Sequence, residues 1–201
     1  MADAKLETRV RREQIADAAL QLVAAEGVKR LSIAAVARRV GQVPSGIYRH
    51  FKSKDQVLDA VLELLKTRLL ANVELARAEA DEPVEQIHRL MVNHVRFIRQ
   101  GIAFPRIIFS DDVFAGHPER KAQVHSLVTA YLGAVEQLVR AGQQQGSIRK
   151  ELVPKNVAVM FLGLIVPAGI LWHLTEGGYN VTQHAARTWD MFRRAIVVST
   201  P

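Results

Sequence analysis

The sequence of 201 residues contains no cysteine. This absence excludes a disulfide framework, a thiolate metal site and a thiol nucleophile, and it fits a reducing cytoplasm. The N-terminus from Met1 to Arg12 is polar and mixed in charge, so it does not show the pattern of a secretory signal. We therefore expect a cytoplasmic protein.

Sequence motifs for catalysis are also lacking. Neither Gly-x-Ser-x-Gly nor His-Glu-x-x-His occurs, and the pair Gly41 and Gly46 has P-loop spacing but is followed by Ile47 and Tyr48 instead of Lys-Ser/Thr. The histidines considered as metal ligands are His88, His94, His125 and His173. No two of them are four residues apart, as a helical zinc site requires. We expect no catalysis, no cofactor and no metal, with an enzyme that has kept this fold as a remote alternative.

Long apolar runs are rare, and the exception is Val157 to Leu174, 18 residues without a charge. This length reaches the lower limit for a membrane-spanning helix. The segment contains Gly163 and Pro167 and lacks a flanking polybasic cluster, which argues against a span. A helix that is apolar on every side is also typical of burial on two sides, and we expect no membrane partner.

The rest of the chain shows helical periodicity and no convincing strand pattern, which predicts an all-α fold of about nine helices. The predicted helices are about Arg9–Ala25, Ser32 to Gly41, Pro44–His50, Ser53 to Asp81, Pro83–Gln100, Arg106–Phe114, Glu119–Ala141, Pro154–Glu176 and a last helix from Thr182 through Ile196. Ser53 and Gln56 have the spacing of a capping box.

Positive charge is concentrated at the N-terminal end. Residues 1–54 hold 11 Lys or Arg against 5 Asp or Glu, whereas residues 55–201 hold 16 against 15. Within this basic part, the residues from Leu31 to Lys54 predict a capped helix, a turn at Gly41 and a short second helix. This order of elements is that of a helix-turn-helix motif. Two alternatives for this basic segment are a charged surface exposed to solvent and a helix that lies on a membrane surface. The membrane alternative requires an apolar helix side that faces lipid, and the apolar side of helix 1 is better used in the bundle core.

The same segment resembles the N-terminal signature of the TetR family of transcriptional regulators. The matching residues are Ile15 to Leu22, Gly27, Ser32-Ile33, Val36-Ala37, Gly41, Ile47 to Phe51 and Ser53 to Asp55. The resemblance covers about the first 60 residues. It implies a three-helix DNA-binding domain at residues 1–54, joined by helix 4 to a helical effector-binding and dimerisation domain at residues 55–201.

We expect operator DNA to contact Ser32, Ile33, Val43, Pro44, Ser45, Gly46, Tyr48, Arg49, His50, Lys52 and Lys54. Ser45 suits a base edge or a phosphate, and Tyr48, His50 and Lys54 suit phosphates. Ile47 and Phe51 should pack inside. Gln42 and Val43 depart from the family pattern. Because Val43 cannot cap helix 3 with its side chain, we expect the start of this helix to be loose in the free protein and to become ordered when a DNA phosphate binds at its N-terminus.

The resemblance further implies a ligand cavity among helices 4 to 8. The candidate effector-binding residues are Met91, His94, Phe97, Phe109, Phe114, Tyr131, Phe161, Trp172 and His173. Large apolar groups at helical spacing also form ordinary core, so core packing remains an alternative for each of them.

Helices 8 and 9 carry more apolar surface than one subunit needs to hide, so we expect them to form a four-helix homodimer interface. The candidate interface residues are Val157, Phe161, Ile165, Trp189, Phe192 and Ile196. The expected function is a dimeric repressor that binds a near-palindromic operator and is released by a small hydrophobic effector. An activator, or a regulator that answers to a protein or a metal, is the alternative.

Overall fold

The computed structural model describes residues 2–100, 107, 110–114 and 117–198. The helices are α1 (Ala2–Glu26), α2 (Ile33–Arg39), α3 (Pro44–Tyr48), α4 (Lys54–Ala78), α5 (Pro83–Arg99), α6 (Asp111–Phe114), α7 (Pro118–Gln145), α8 (Pro154–Leu174) and α9 (Val181–Ile196), with a 3-10 turn at Val28–Arg30. The described part contains no strand, only an isolated antiparallel bridge between Ile148 and Val197. The all-α prediction is confirmed. Part of the predicted helix Arg106–Phe114 lies outside the described residues.

The chain forms two compact units. One comprises Met1–Thr67 and Gly101–His125, and the other comprises Arg68–Gln100 and Ser126–Pro201. The helices α4 and α7 each contribute residues to both units. The predicted boundary between residues 54 and 55 stays a prediction.

The first unit is built around the apolar sides of α1 to α4. Its fully buried side chains include Ile15, Val36, Ile47, Phe51 and Val61. Burial of each such side chain stabilises the fold by about 1.5–3 kcal/mol relative to exposure. The predicted burial of Ile47 and Phe51 is thus confirmed.

The second unit packs α5 against α8 and α9. The strong apolar stripe of α5 is buried at Ile87, Leu90 and Met91. A close approach near the end of α7 requires glycine, because a Cβ atom at Gly142 would lie 2.5 Å from Cδ1 of the buried Ile148.

Candidate nucleic-acid interface and effector cavity

Hydrogen bonds fix both ends of α2. At its start, Ser32 Oγ accepts a bond from the Ala35 amide at 3.1 Å and caps the helix. At the end of α2, where the turn to α3 begins, Gln42 N–H donates to the Ala37 carbonyl and Gly41 N–H donates to the Arg38 carbonyl. Gly41 has φ +68°, a left-handed conformation that glycine adopts readily, so this is a Schellman motif. The turn therefore sets where α3 begins.

The short helix α3 begins at Pro44 and has Val43 as its N-cap without a side-chain hydrogen bond. Val43 is 67% exposed, whereas Ile47 is the buried residue of the helix. Because only one side chain of α3 is buried, most of this helix surface is available to a partner.

The predicted DNA-contact residues are accessible as a group. Ser32, Val43, Pro44, Ser45, Tyr48, Arg49, Lys52 and Lys54 are exposed, while Ile33, Gly46 and His50 are half-buried. A Cβ atom at Gly46 would lie 2.7 Å from the Gln42 side-chain oxygen, so that side chain lies over the glycine. The group combines cations, a hydroxyl and small residues, which is the chemistry that phosphates and groove edges require.

The start of α4 is held by the Ser53 and Gln56 pair that the sequence predicts. Gln56 N–H donates to Ser53 Oγ at 3.2 Å, and Gln56 Oε1 accepts from the Lys52 amide at 2.9 Å. The second bond reaches one residue further back than in the usual capping box. It fixes the backbone of Lys52, next to the α4 N-terminus that carries Lys54.

A buried arginine that sequence reasoning missed lies in the same unit. Arg120, at the start of α7, is 2% exposed; its Nε donates to Asp59 at 2.8 Å and its Nη2 to Asp55 at 2.7 Å. The bond from Arg120 is the largest cause that lowers the pKa of Asp55. Since Asp55 follows Lys54 directly, this ion pair fixes the first turn of α4. The partners are 61 and 65 residues apart, so no local pattern signals it.

A second cluster surrounds His94 in the other unit. Its Nε2 atom hydrogen-bonds with the Tyr131 hydroxyl, and the rings of Phe97 and Phe161 lie 6.2 and 6.4 Å from the imidazole. Burial lowers the pKa of His94 to about 4 and raises the pKa of Tyr131. Both groups are therefore neutral at physiological pH.

A small cavity lies beside this cluster. It is lined by Met91, His94, Val95, Ile98, Leu164, Ile165, Ala168, Val181, His184, Ala185 and Thr188. The cavity has room for about one water molecule. None of the lining side chains is a carboxylate, a lysine or an arginine, so the cavity suits an uncharged apolar group.

The polar lining groups already have partners. His184 Nε2 donates to the Leu164 carbonyl at 3.0 Å, and its Nδ1 lies 2.8 Å from the Tyr179 hydroxyl. Thr188 donates to the His184 carbonyl at 2.8 Å. Pro167 has no N–H to donate to the Gly163 carbonyl of α8, and His184 bonds the next carbonyl along, that of Leu164.

The structure brings five candidate effector residues together around His94 and separates the others. Met91 and His94 line the cavity, and Phe97, Tyr131 and Phe161 contact His94 or lie beside it. Phe114 is in the other unit, Trp172 lies next to Gly177 and His173 is exposed, so these three do not line this cavity. Phe109 lies outside the described residues. The α9 residues His184, Ala185 and Thr188 were missed because α9 was assigned to the interface alone.

The candidate interface residues lie mostly inside the single chain. Val157, Phe161, Trp189, Phe192 and Ile196 are buried, and Ile165 is half-buried beside the cavity. The exposed apolar side chains of these helices are instead Val159, Met160, Ile170, Leu171, Leu174 and Met191. We call this second set the exposed apolar face. The six residues named from the sequence keep little surface for a partner, and their part in an interface stays a prediction.

By length and composition alone, the helix α8 is long and apolar enough to cross a membrane, and 22% of its 18-residue apolar stretch is buried inside the protein. That test is also met by helices of soluble proteins. Metal-binding clusters of three or more His, Cys, Asp or Glu are not found among the residues whose placement is described. His88 instead stacks on Trp189, with 4.6 Å between ring centroids.

The fold and the N-terminal segment together define a helical protein with a helix-turn-helix DNA-binding region. Residues 15–61 match the family described as bacterial regulatory proteins, tetR family, and residues 80–196 match the tetracyclin repressor-like C-terminal domain. The chain belongs to the TetR family of transcriptional regulators.

Several known proteins are similar over nearly the whole chain. The nucleoid occlusion factor SlmA of Sodalis glossinidius is 22% identical over 192 residues, covering 95% of this chain and 97% of that protein. Among solved structures, a TetR regulator from Chloroflexus aurantiacus has a TM-score of 0.80 at 19% identity, covering 99% of this chain and 100% of that one. The regulator FadR from Bacillus subtilis in complex with stearoyl-CoA has a TM-score of 0.74 at 18% identity, covering 89% and 96%. At these identities the structural likeness concerns the fold.

Proposed function

We propose that this regulator is a homodimeric repressor, located in the cytoplasm, that binds a near-palindromic operator and leaves it when a small hydrophobic effector binds. It acts by binding and not by catalysis. The DNA-binding part is supported mainly by the exposed, cation-rich surface that the segment from Ser32 to Lys54 presents. Within α3, the buried side chain is that of Ile47, and the rest of the helix is accessible to DNA.

Dimer formation is supported by the exposed apolar face of α8 and α9. Leu174 is 72% and Met191 71% exposed, and apolar side chains of this size gain free energy when a partner covers them. Because a two-fold dimer presents two copies of α3, it binds half-sites about one helical turn of DNA apart. A near-palindromic operator follows from that symmetry.

The effector is proposed to enter the cavity beside His94. The uncharged lining favours an apolar molecule, and His94, which is neutral and lines the cavity, offers a polar contact. The FadR relative was solved with stearoyl-CoA, which makes acyl compounds a reasonable first class to test. Binding shifts the population of DNA-competent dimers, so affinity for the operator falls.

Selection of binding sites from a library of randomised duplexes tests the DNA-binding part. We expect enrichment of a sequence with two inverted half-sites and loss of binding in a Ser45→Ala, Tyr48→Ala double variant that keeps its helical circular dichroism. Failure of the wild-type protein to enrich any sequence would refute operator recognition. A reporter placed behind the selected site then separates a repressor from an activator.

A thermal-shift screen of neutral lipids, acyl-CoA compounds and aromatic drugs tests the effector part, because a ligand of the native state raises the melting temperature. A true effector also releases the selected duplex. A compound that raises the melting temperature of the wild-type protein but not of a cavity-filling Ala168→Phe variant identifies this cavity as the binding site.

A further inference from the structure

The N-terminal half of α1 extends beyond the core of its unit. The helix begins at Ala2, yet every described side chain from Leu6 to Gln14 is exposed, and the first buried one is Ile15. Burial in the core therefore does not explain why this extension carries Arg9, Arg11 and Arg12. The DNA-contact residues predicted from the sequence include none of these arginines.

The extension meets the chain where α3 ends. The Arg12 guanidinium lies 4.1 Å from the centre of the Phe51 ring, which is a cation–π contact. Arg12 Nη1 also donates to the backbone carbonyl of His50. These two contacts place this turn of α1 against His50 and Phe51, between Arg49 and Lys52 in the sequence.

Positive charges gather around His50. Burial of the imidazole is the first cause that lowers the pKa of His50, and the charges of Arg11, Arg12 and Arg49 follow. Its Nδ1 atom is buried and, within the described part of the chain, has no hydrogen-bond partner. The three arginines are exposed.

Within the part of the chain that the structure describes, no carboxylate pairs with this cluster. Among the described residues, none of Arg11, Arg12 and Arg49 forms an ion pair with Asp or Glu. Three guanidinium groups close to one imidazole repel each other, and an anion that joins them relieves that repulsion. Arginine is the side chain best suited to phosphate, because its planar group donates two parallel hydrogen bonds.

We propose that Arg11, Arg12, Arg49 and His50 form a binding site for a phosphate of the DNA backbone, formed where α1 meets the end of α3. The site rests on the proposed DNA-binding function and adds a contact outside the helix-turn-helix. Arg12 is held in place by Phe51 and His50, and Arg11 and Arg49 close on the phosphate. Because a phosphate carries no sequence information, this contact strengthens binding to every duplex equally.

The test measures affinity for the duplex that the wild-type protein selects, between about 50 and 200 mM salt. Arg11→Gln is expected to lower the slope of log affinity against log salt by about one unit per subunit. Its affinity should fall by the same factor on the selected duplex and on an unrelated one. Arg11→Lys keeps the charge and should keep most of the slope.

Lys150→Gln is the matched control, because it removes one charge from an exposed position in the other unit and should keep the wild-type slope. A wild-type slope for Arg11→Gln, in protein with wild-type circular dichroism, would overturn the site while leaving the proposed function intact. If the wild-type protein binds neither duplex, both the site and the proposed function are wrong.

Discussion

Arg120 donates through its Nε to the Asp59 carboxylate at 2.8 Å, and its second bond, to Asp55, connects the start of α7 to the first turn of α4. The guanidinium is 2% exposed while the carboxylates of Asp55 and Asp59 are 52% and 38% exposed. Water therefore solvates the acids but not the base. Among the described residues, these two carboxylates are the acids that pair with the buried guanidinium, so the pair stabilises the fold mainly by compensating that buried charge.

Replacing this arginine is expected to loosen the start of α4. Arg120→Gln removes both bonds, and because the two carboxylates remain partly solvated, we expect a loss of about 1–2 kcal/mol, below the 3–5 kcal/mol of a fully buried pair. Urea unfolding measures this loss. Lys121→Gln, an exposed neighbour on α7, should cost less than about 0.5 kcal/mol; equal losses in the two variants would contradict the prediction.

The same pair gives a pH dependence. The folded-state pKa of Asp55 is lowered from 3.8, so its stabilising effect is present above that pH and is lost as the pH falls through the lower, folded value. The stability difference between wild-type protein and Arg120→Gln should therefore narrow in strong acid. A difference that stays constant from neutral pH to acid would show that Asp55 does not depend on Arg120.

Buried His94 predicts a second pH dependence, in a milder range. Its pKa is 6.5 in the unfolded chain and about 4 in the fold. The folded protein therefore binds fewer protons, and stability is full above pH 6.5 and falls as the pH is lowered towards 4. The expected loss is about 3 kcal/mol at pH 4.

Urea unfolding between pH 7.5 and pH 4 measures this slope. In His94→Gln the slope should become shallower, and in His125→Gln, which changes an exposed histidine of α7, it should remain. An unchanged slope in His94→Gln would assign the dependence to other groups.

Two glycines of α7 predict opposite outcomes for the same substitution. Gly142→Ala places a methyl group 2.5 Å from Ile148 Cδ1, whereas Gly133→Ala meets nothing within 4 Å. We expect Gly142→Ala to destabilise by about 1–3 kcal/mol through overpacking, and Gly133→Ala to stabilise by up to about 1 kcal/mol. Thermal unfolding separates them. Adding Ile148→Ala should make the Gly142→Ala substitution less costly, and a purely additive loss would argue against the steric cause.

The exposed apolar face predicts the quaternary structure. Leu174→Arg and Met191→Arg place a charge where we expect a second copy, so each should shift the protein from dimer to monomer in sedimentation velocity. Leu75→Arg, at an exposed leucine of α4, is the control and should remain dimeric. A wild-type protein that sediments as a monomer would remove the basis for the proposed interface.

The N-caps of α3 and α8 are both valine without a side-chain hydrogen bond, at Val43 and Val153. Threonine at either position supplies the missing acceptor, so Val43→Thr and Val153→Thr should each stabilise the protein by about 0.5–2 kcal/mol. Amide exchange at Gly46 and Ile47 should slow in Val43→Thr but not in Val153→Thr. Exchange that slows in both variants, or in neither, would show that the cap is not what limits α3.

Local signals predicted the caps and turns well. Ser32, Gly41 and the Ser53 and Gln56 pair act through atoms within four or five residues, so their spacing in the sequence is sufficient. The start of α1 was placed at Arg9 instead of Ala2. The side chains from Leu6 to Gln14 are all exposed, so this stretch shows no apolar periodicity that would place the helix start earlier.

The side of α8 that faces the core could not be found from the sequence. When every residue from Val157 to Leu174 is uncharged, periodicity does not distinguish the side that covers the chain's own core from the side left open. Val157 and Phe161 face inward, whereas Val159 and Met160 remain exposed. Likewise His94 and Tyr131 are 37 residues apart, and only the tertiary fold brings them together.

The small size of the cavity beside His94 has a consequence for how the proposed effector enters it. The cavity has room for about one water molecule, so we expect a larger effector to enter only when α5, α8 and α9 move apart. The apparent dissociation constant then equals the intrinsic one divided by the fraction of open molecules. Substitutions that loosen this three-helix packing, such as Ile98→Ala, then raise effector sensitivity while lowering stability. If the proposed effector binds here, the response threshold is set by the packing of the core as much as by contacts with the effector.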